Sequence, residues 1–234
     1  ATDNPIQSTS IPQVAPTPTL GQAVYLPDYL PPGIRAGFQL PPGYYPVSNP
    51  EAAQFHMDIL APGSNFPQSL TWWTYALVAP FPTIPSEVSS QDLRITWRGE
   101  SSSPFAGLPL LMDKHTRAVF SAWWGDPAEG VIQILPAESL INTAWEQRPS
   151  WAIVPFETLE PRWKVLAVDG LSPIHKDFDP AAYPLDVTFS LETSLPSDGF
   201  TLPASNRDPG KMTTLVMTGV TALVRATAYA MEKK

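Results

Sequence analysis

The chain has 234 residues, enough for one large domain or for two lobes of about 100 residues each. Its net charge of −8 argues against a nucleic-acid-binding surface, which needs clustered lysine and arginine. The absence of cysteine excludes disulfides, zinc ribbons and cysteine nucleophiles. No apolar run approaches the ~18 residues that a transmembrane helix requires.

Residues 1–22 are rich in proline, threonine and serine and carry few large apolar groups. Proline disfavours a helix and lacks a donor for a β-ladder, so this composition predicts an extended tether. The alternative is a disordered terminus that has no function. The chain begins at Ala1 rather than at methionine. A processed export signal and a trimmed chain explain this equally well, and an extracytoplasmic location is the expectation.

Short apolar runs and long aromatic or β-branched runs predict the strands. The proline-glycine turns Pro31–Gly33 and Pro41–Gly43 separate the first of these runs. The predicted strands are Ala23–Leu26, Phe38–Leu40, Ala52–Leu60, Leu70–Pro80, Leu108–Met112, Val131–Leu135, Trp151–Val154, Val165–Val168 and Leu185–Leu191.

Three helices are predicted between these strands. Ser89 and Asp92 have the spacing of a capping box, and Gly99 suits the end of that helix. A second helix runs from Asp113 to Trp124 and stops at Gly125, and a third covers Ala137–Gln147. The alternation of strands and helices predicts an α/β fold with mostly parallel sheets and flanking helices, in one body or two small lobes.

The C-terminal part of the chain is predicted to leave this module. The module itself is assigned to residues 23–200, and residues 201–212 form a linker rich in proline, asparagine, aspartate and glycine. A strand at Thr213–Met217 and a helix at Thr221–Glu232 follow.

Catalytic and metal motifs are missing from the sequence. The three histidines lie about sixty residues apart, and neither HExxH, GxSxG, SxxK nor a phosphate-binding glycine loop occurs. Asp169, Asp177 and Asp179 belong to a segment of turn residues, where aspartates usually cap turns. The sequence therefore predicts a chain without catalytic residues, metal or cofactor.

One position has a physical rationale for binding an anion. In PLLMDKHTRAVF a strand turns directly into a helix, and Lys114, His115 and Thr116 occupy its first turn. Free N–H groups and the positive end of the helix dipole favour an anion there. The alternative is that Asp113 caps the helix and that Lys114 and His115 are merely solvated. The tryptophan pairs Trp72-Trp73 and Trp123-Trp124 offer stacking surfaces, although core packing is the default for such residues.

Three stretches resemble the type 2 periplasmic substrate-binding proteins, especially their phosphate-binding branch. They are FPTIPSEVSSQDLRITWRGE, LLMDKHTRAVFSAWWG and SWAIVPFETLEPRWKVLAVDG. In that branch a helix is followed by a strand and by a helix start rich in serine, glycine and threonine that holds the anion. The resemblance implies a ligand site at Lys114, His115 and Thr116, together with Thr83 of the first stretch. The family's Ser-Gly-Thr donors are largely replaced here.

A fourth stretch, LPASNRDPGKMTTLVMTGVTALVRATAYAMEKK, is similar to a domain junction in capsule-synthesis proteins of the poly-γ-glutamate (CapA-like) family. There, a binding-protein-like domain precedes a metallophosphoesterase-like domain that opens with a TGD motif. Thr218-Gly219-Val220 matches this motif with valine in place of the metal-binding aspartate. The resemblance implies that residues 213–234 begin a truncated second domain.

Three functions follow as hypotheses. The first is a non-catalytic module of the cell envelope that binds a small anion or a polymer fragment. The second is an assembly domain with a degenerate cleft that docks a protein partner. The third is a part of a metallophosphoesterase-like enzyme, for which the valine at position 220 predicts weak metal binding.

Overall fold

The chain folds around one nine-stranded sheet with helices packed against it, as seen in a computed structural model. The structure describes residues 21–60, 70–193, 195, 199–213 and 215. The strands are β1 (Gln22–Tyr25), β2 (Tyr44–Val47), β3 (Phe55–Ile59), β4 (Leu70–Pro80), β5 (Glu87–Val88), β6 (Leu110–Met112), β7 (Ile132–Ile134), β8 (Trp151–Pro155), β9 (Trp163–Val165), β10 (Ala167–Val168) and β11 (Asp186–Glu192). The α-helices are α1 (Pro32–Gly37), α2 (Ser90–Trp97), α3 (Lys114–Trp124) and α4 (Leu140–Glu146).

The strand order of the large sheet is β2-β1-β3-β11-β4-β8-β6-β7, with β9 paired to β4. Both outer parts are parallel: β1 pairs with β2 and β3, and β6 pairs with β7 and β8. In the centre, β11 is antiparallel to β3 and to β4, and β4 is antiparallel to β8. The predicted α/β class is confirmed, and the antiparallel centre makes the sheet mixed.

Strand β4 joins the two parts of the sheet. Its first half pairs with β11, with Trp73 opposite Val187, and its second half pairs with β8, with Leu77 opposite Ile153. We call β2, β1, β3, β11 and the start of β4 the first half of the sheet, and the end of β4 with β8, β9, β6 and β7 the second half. One continuous strand of eleven residues therefore connects the halves.

The two faces of the sheet carry separate parts of the core. Trp73, Tyr75 and Leu77 face the larger cluster, which also holds residues of β1, β3, α2 and α3. Ala76 and Val78 face a smaller cluster under α4. This alternation along β4 separates Trp72 from Trp73: Trp73 is buried, whereas Trp72 is 37% exposed.

The predicted start signal of α2 and stop signal of α3 are present in the structure. The Ser89 hydroxyl accepts from the Asp92 N–H at 3.0 Å at the start of α2, and Gly125 ends α3 with a φ of 84°. The predicted turn at Pro31–Gly33 proved to be the start of a helix, because proline at the first helical position needs no donor. The predicted strand Val165–Val168 is divided between β9 and β10.

Within residues 201–212, which the sequence predicts to be a linker, residues 203–206 contact strand β4. Thr201 bridges to Gln39, Ser205 bridges to Trp72, and Arg207 is buried. Of the tether predicted at residues 1–22, only residues 21 and 22 are among the described residues, and Gln22 begins β1. Nearly all of the segment from 213 to 234 lies outside the described residues. No helix in the described part of the chain is long and apolar enough to cross a membrane.

Candidate functional site

The start of α3 is capped by the side chain of Asp113. One of its oxygens accepts from the N–H of His115 at 2.7 Å and from that of Thr116 at 3.1 Å. The other accepts from the Thr116 hydroxyl at 2.6 Å. Asp113 and Thr116 are both buried. The carboxylate of Asp113 thus takes the position at the helix start that an anion would otherwise occupy.

Two basic side chains remain accessible at this helix start. Lys114 and His115 are exposed, and the Lys114 N–H has no acceptor among the described residues. Both line a cavity of about 510 Å³ that also touches Asp113, the end of β7 and Glu138. The cavity lies beyond the carboxyl ends of the parallel strands β6 and β7, the usual position of ligands in open α/β sheets.

Thr83 does not join this group. Strand β4 runs antiparallel to β8, and β8 runs parallel to β6, so the end of β4 lies at the amino ends of β6 and β8. Thr83 follows β4 there and lines a separate cavity of about 490 Å³ with Ile84, Arg148 and Trp151. Its carbonyl accepts from Lys164 Nζ at 2.7 Å. The structure brings Lys114, His115 and Thr116 together at the carboxyl end of β6. It places Thr83 at the opposite end of the strands.

A polar cluster lies at the middle of β4, where the two halves of the sheet meet. The Asn206 amide accepts from the Thr74 N–H at 2.8 Å and donates to the Thr74 carbonyl at 2.9 Å. The same amide donates to the carboxylate of Glu157, which follows β8. Asn206 therefore links residues 203–207 by hydrogen bonds to both halves of the sheet. Sequence reasoning missed this role because Asn206 stands in a segment of turn residues.

Asp186 is the buried acid of this cluster. It accepts from the Thr74 hydroxyl at 2.5 Å, and its second oxygen has no partner among the described residues. Burial raises the pKa of Asp186 to about 6, against the opposing effects of the Thr74 hydrogen bond and the positive charge of Arg207. Burial also raises the pKa of Tyr75, which stays a neutral phenol in the core.

The described part of the chain contains no group of metal-binding side chains. No set of three or more His, Asp and Glu side chains there could hold a metal ion. His56 contacts the Ala53 carbonyl at 3.2 Å, and His115 lies on α3. Val220 lies outside the described residues.

Several solved structures have a similar fold, among them a phosphate transport receptor and a possible phosphate binding protein. The chain is similar to an ABC-type phosphate transport receptor from Vibrio cholerae, with 12% identity, a TM-score of 0.49 and coverage of 63% of this chain and 70% of that one. It is also similar to a possible phosphate binding protein from Planctomyces limnophilus, with 10% identity, a TM-score of 0.43 and coverage of 61% and 65%. The chain is similar to PstS from Borrelia burgdorferi as well, with 13% identity, a TM-score of 0.40 and coverage of 63% of this chain and 74% of that one.

These similarities concern the α/β fold alone, because the identities are low and each TM-score is below 0.5. No protein-family model and no curated protein matches the chain. The class that the structure defines is thus an α/β module built on one mixed sheet with flanking helices.

Proposed function

We propose that this chain is a non-catalytic binding module of the cell envelope and that it takes a small anion at the start of α3. The observation that carries the proposal is the pair of exposed basic side chains, Lys114 and His115, on the wall of the 510 Å³ cavity. The positive end of the α3 dipole adds to their attraction.

The ligand contacts in this proposal are made mostly by side chains. The amides of His115 and Thr116 and the Thr116 hydroxyl already donate to Asp113. The remaining donors are the Lys114 N–H, the Lys114 ammonium and the His115 ring. The nearby negative charge of Asp113 weakens the attraction of an anion, so we expect an affinity in the range of about 0.1–1 mM.

A thermal-shift panel identifies the anion. Phosphate, sulfate, glutamate and short poly-γ-glutamate are each added in the millimolar range, with sodium chloride at matched ionic strength as the control. A specific rise of the melting temperature with one of the four supports the proposal, since ligands that bind only the folded state stabilise it. The absence of any rise above the salt control argues against it.

The poly-γ-glutamate probe addresses a finer part of the proposal. We place the parent protein in the synthesis of capsule or another surface polymer, on the strength of the resemblance of residues 202–234 to the CapA-like junction. Glutamate and its γ-linked oligomers carry carboxylates that suit Lys114. A response to phosphate but to neither of these probes would count against the capsule role.

An assembly domain is the second candidate, and the polar cluster around Asn206 favours it. Asn206 in that cluster bonds Thr74 and Glu157 of the chain itself, which leaves fewer of its polar groups free for a ligand. The exposed Phe81 and Ile84, at 67% and 92%, offer an apolar contact surface for a second copy. Sedimentation velocity tests this: self-association that Ile84→Ser weakens supports it, and a monomer at every concentration contradicts it.

A further inference from the structure

A third pocket lies against the start of β4, away from α3. Its volume is about 210 Å³, and its polar and aromatic lining comes from three segments of the chain. These residues, which we call the Arg207 pocket, are Trp72, Thr74, Lys176, Phe178, Ser205 and Arg207. The volume is below the 300 Å³ or more that drug-sized ligands occupy, so the pocket suits a compact molecule.

Arg207 is fixed in position by hydrogen bonds to backbone carbonyls. Its Nε donates to the Pro173 carbonyl at 2.7 Å, and its Nη2 donates to the His175 carbonyl at 2.5 Å. The guanidinium lies 4.7 Å from the ring centre of Phe178 and 5.8 Å from that of Phe156. The residue is only 8% exposed. A planar donor held in this way is organised before any ligand arrives.

Asp186 acts on Arg207 through its negative charge, but no carboxylate among the described residues forms an ion pair with Arg207. The ion pairs among the described residues are Arg162 with Glu160 and Lys211 with Asp208, and neither includes Arg207. Its Nη1 has no acceptor in the described part of the chain. The attraction of Asp186 offsets part of the cost of burying this cation, and an anion in contact with it would offset more. The free donor therefore points to an anionic ligand.

Two neighbours add charge and a flat surface. Lys176 is exposed and lines the same pocket without an ion pair among the described residues. Trp72 is 37% exposed, and its indole is the large aromatic surface of the pocket. An indole favours stacking with a planar body, while the two cations favour a carboxylate or a phosphate.

Acidic residues near the pocket have partners of their own. The Asp208 carboxylate lies 3.5 Å from Lys211 Nζ, and that of Asp179 accepts from the Ala181 N–H at 3.0 Å. Asp186 accepts from the Thr74 hydroxyl. Asp177 is exposed beside Lys176 in sequence. These charges lower the affinity for an anion, but none of them is paired with Arg207.

We propose that the Arg207 pocket binds a small planar organic anion, with the carboxylate or phosphate on Arg207 and Lys176 and the planar body on Trp72. This site goes beyond the proposed function, since it shares no residue with the start of α3. The suited chemistry is that of benzoate or phenyl phosphate, which combine one anionic group with one ring.

Isothermal titration calorimetry of the chain with benzoate, phenyl phosphate and benzamide tests this site. Benzamide is the neutral match of benzoate. We expect both anions to bind and benzamide to bind at least tenfold more weakly, because hydrogen bonds to a charged group contribute more than those to a neutral one. Lys176→Gln should weaken benzoate binding roughly threefold, and Trp72→Ala roughly fivefold.

Matched controls separate this site from the one at α3. Lys211→Gln removes the same charge from a side chain that is 86% exposed, and Lys114→Gln removes it at α3. Lys211→Gln should leave benzoate binding unchanged, and Lys114→Gln reports any benzoate bound at the start of α3. Arg207→Gln should abolish it, with thermal unfolding as the check that this variant folds. Equal binding of benzamide, a loss with Lys114→Gln but not with Lys176→Gln, or no binding of either anion at 10 mM would overturn the proposal.

Discussion

At the scale of single residues, Asp113 has two opposing effects. It stabilises α3 by accepting three hydrogen bonds, and it places a negative charge beside the proposed anion site. The sequence allowed both interpretations of this helix start, an anion site or a capped helix. The cap is present, and the anion site remains a proposal that depends on Lys114 and His115.

Replacing Asp113 tests the cap. Asp113→Ala removes the acceptor of two amides and leaves the buried Thr116 hydroxyl without a partner. We expect the free energy of unfolding to fall by about 2–3 kcal/mol, from the lost cap and the unsatisfied hydroxyl. Urea denaturation measures this. Asp126→Ala, at an exposed position after α3, is the control and should change little. Equal stability of both variants would refute the capping role.

Asp186 makes the stability of the chain depend on pH. Its folded-state pKa of about 6 is above its ordinary value, so the folded state holds the proton more tightly than the unfolded state does. The resulting stabilisation is complete below about pH 4 and is lost as the pH rises through 6.

Asp186→Asn removes this dependence while it keeps an oxygen for the Thr74 hydroxyl. We expect the variant to be more stable than the natural chain by about 3 kcal/mol at pH 7.5 and by only about 1 kcal/mol at pH 4.5. Urea denaturation at the two pH values gives the comparison. A variant that is less stable than the natural chain at pH 7.5 would show that the charged form of Asp186 is the stabilising one.

At the scale of elements, the segment 203–207 behaves as a part of the sheet. It runs beside β4, and Asn206 binds the backbone of Thr74 through two hydrogen bonds. Asn206→Ala should cost about 2 kcal/mol of stability and raise amide hydrogen exchange in residues 201–212. Asn142→Ala is the control, because Asn142 bonds only the exposed Arg162 among the described residues. Unchanged exchange in Asn206→Ala would contradict the anchoring role.

The elements that the sequence predicted well are those with local signals. Strand β4 matches its predicted range, and α2 and α3 have the predicted caps. The position of residues 201–212 depends on contacts with residues more than 100 positions away, such as Asn206 with Thr74. Composition alone favours a linker there, since proline, asparagine and aspartate are typical of loops.

The candidate site likewise has one part that local sequence predicts and another that depends on contacts between distant residues. The positions of Lys114, His115 and Thr116 follow from one strand and one helix, and sequence reasoning placed them together. Thr83 is separated from them by the direction of β4 relative to β6, which is a property of the whole sheet. Arg207 was missed because its burial arises from loops that precede it by about 30 residues.

At the scale of the whole molecule, β4 makes the two halves of the sheet one folding unit. It pairs with β11 in the first half and with β8 in the second, and the larger core cluster contains residues of both halves. We therefore expect a single thermal transition, with the calorimetric enthalpy equal to the van't Hoff enthalpy. Two resolved transitions in scanning calorimetry would show that the halves unfold independently.

The central claim is that an anion binds at the start of α3 through Lys114. Calorimetric titration of the natural chain and of Lys114→Gln, with the anion that gives the largest thermal shift, tests it most directly. We predict that the variant binds at least tenfold more weakly, because it loses a charge-assisted hydrogen bond, and that Lys211→Gln binds as the natural chain does. Equal affinities of the natural chain and Lys114→Gln would contradict the claim.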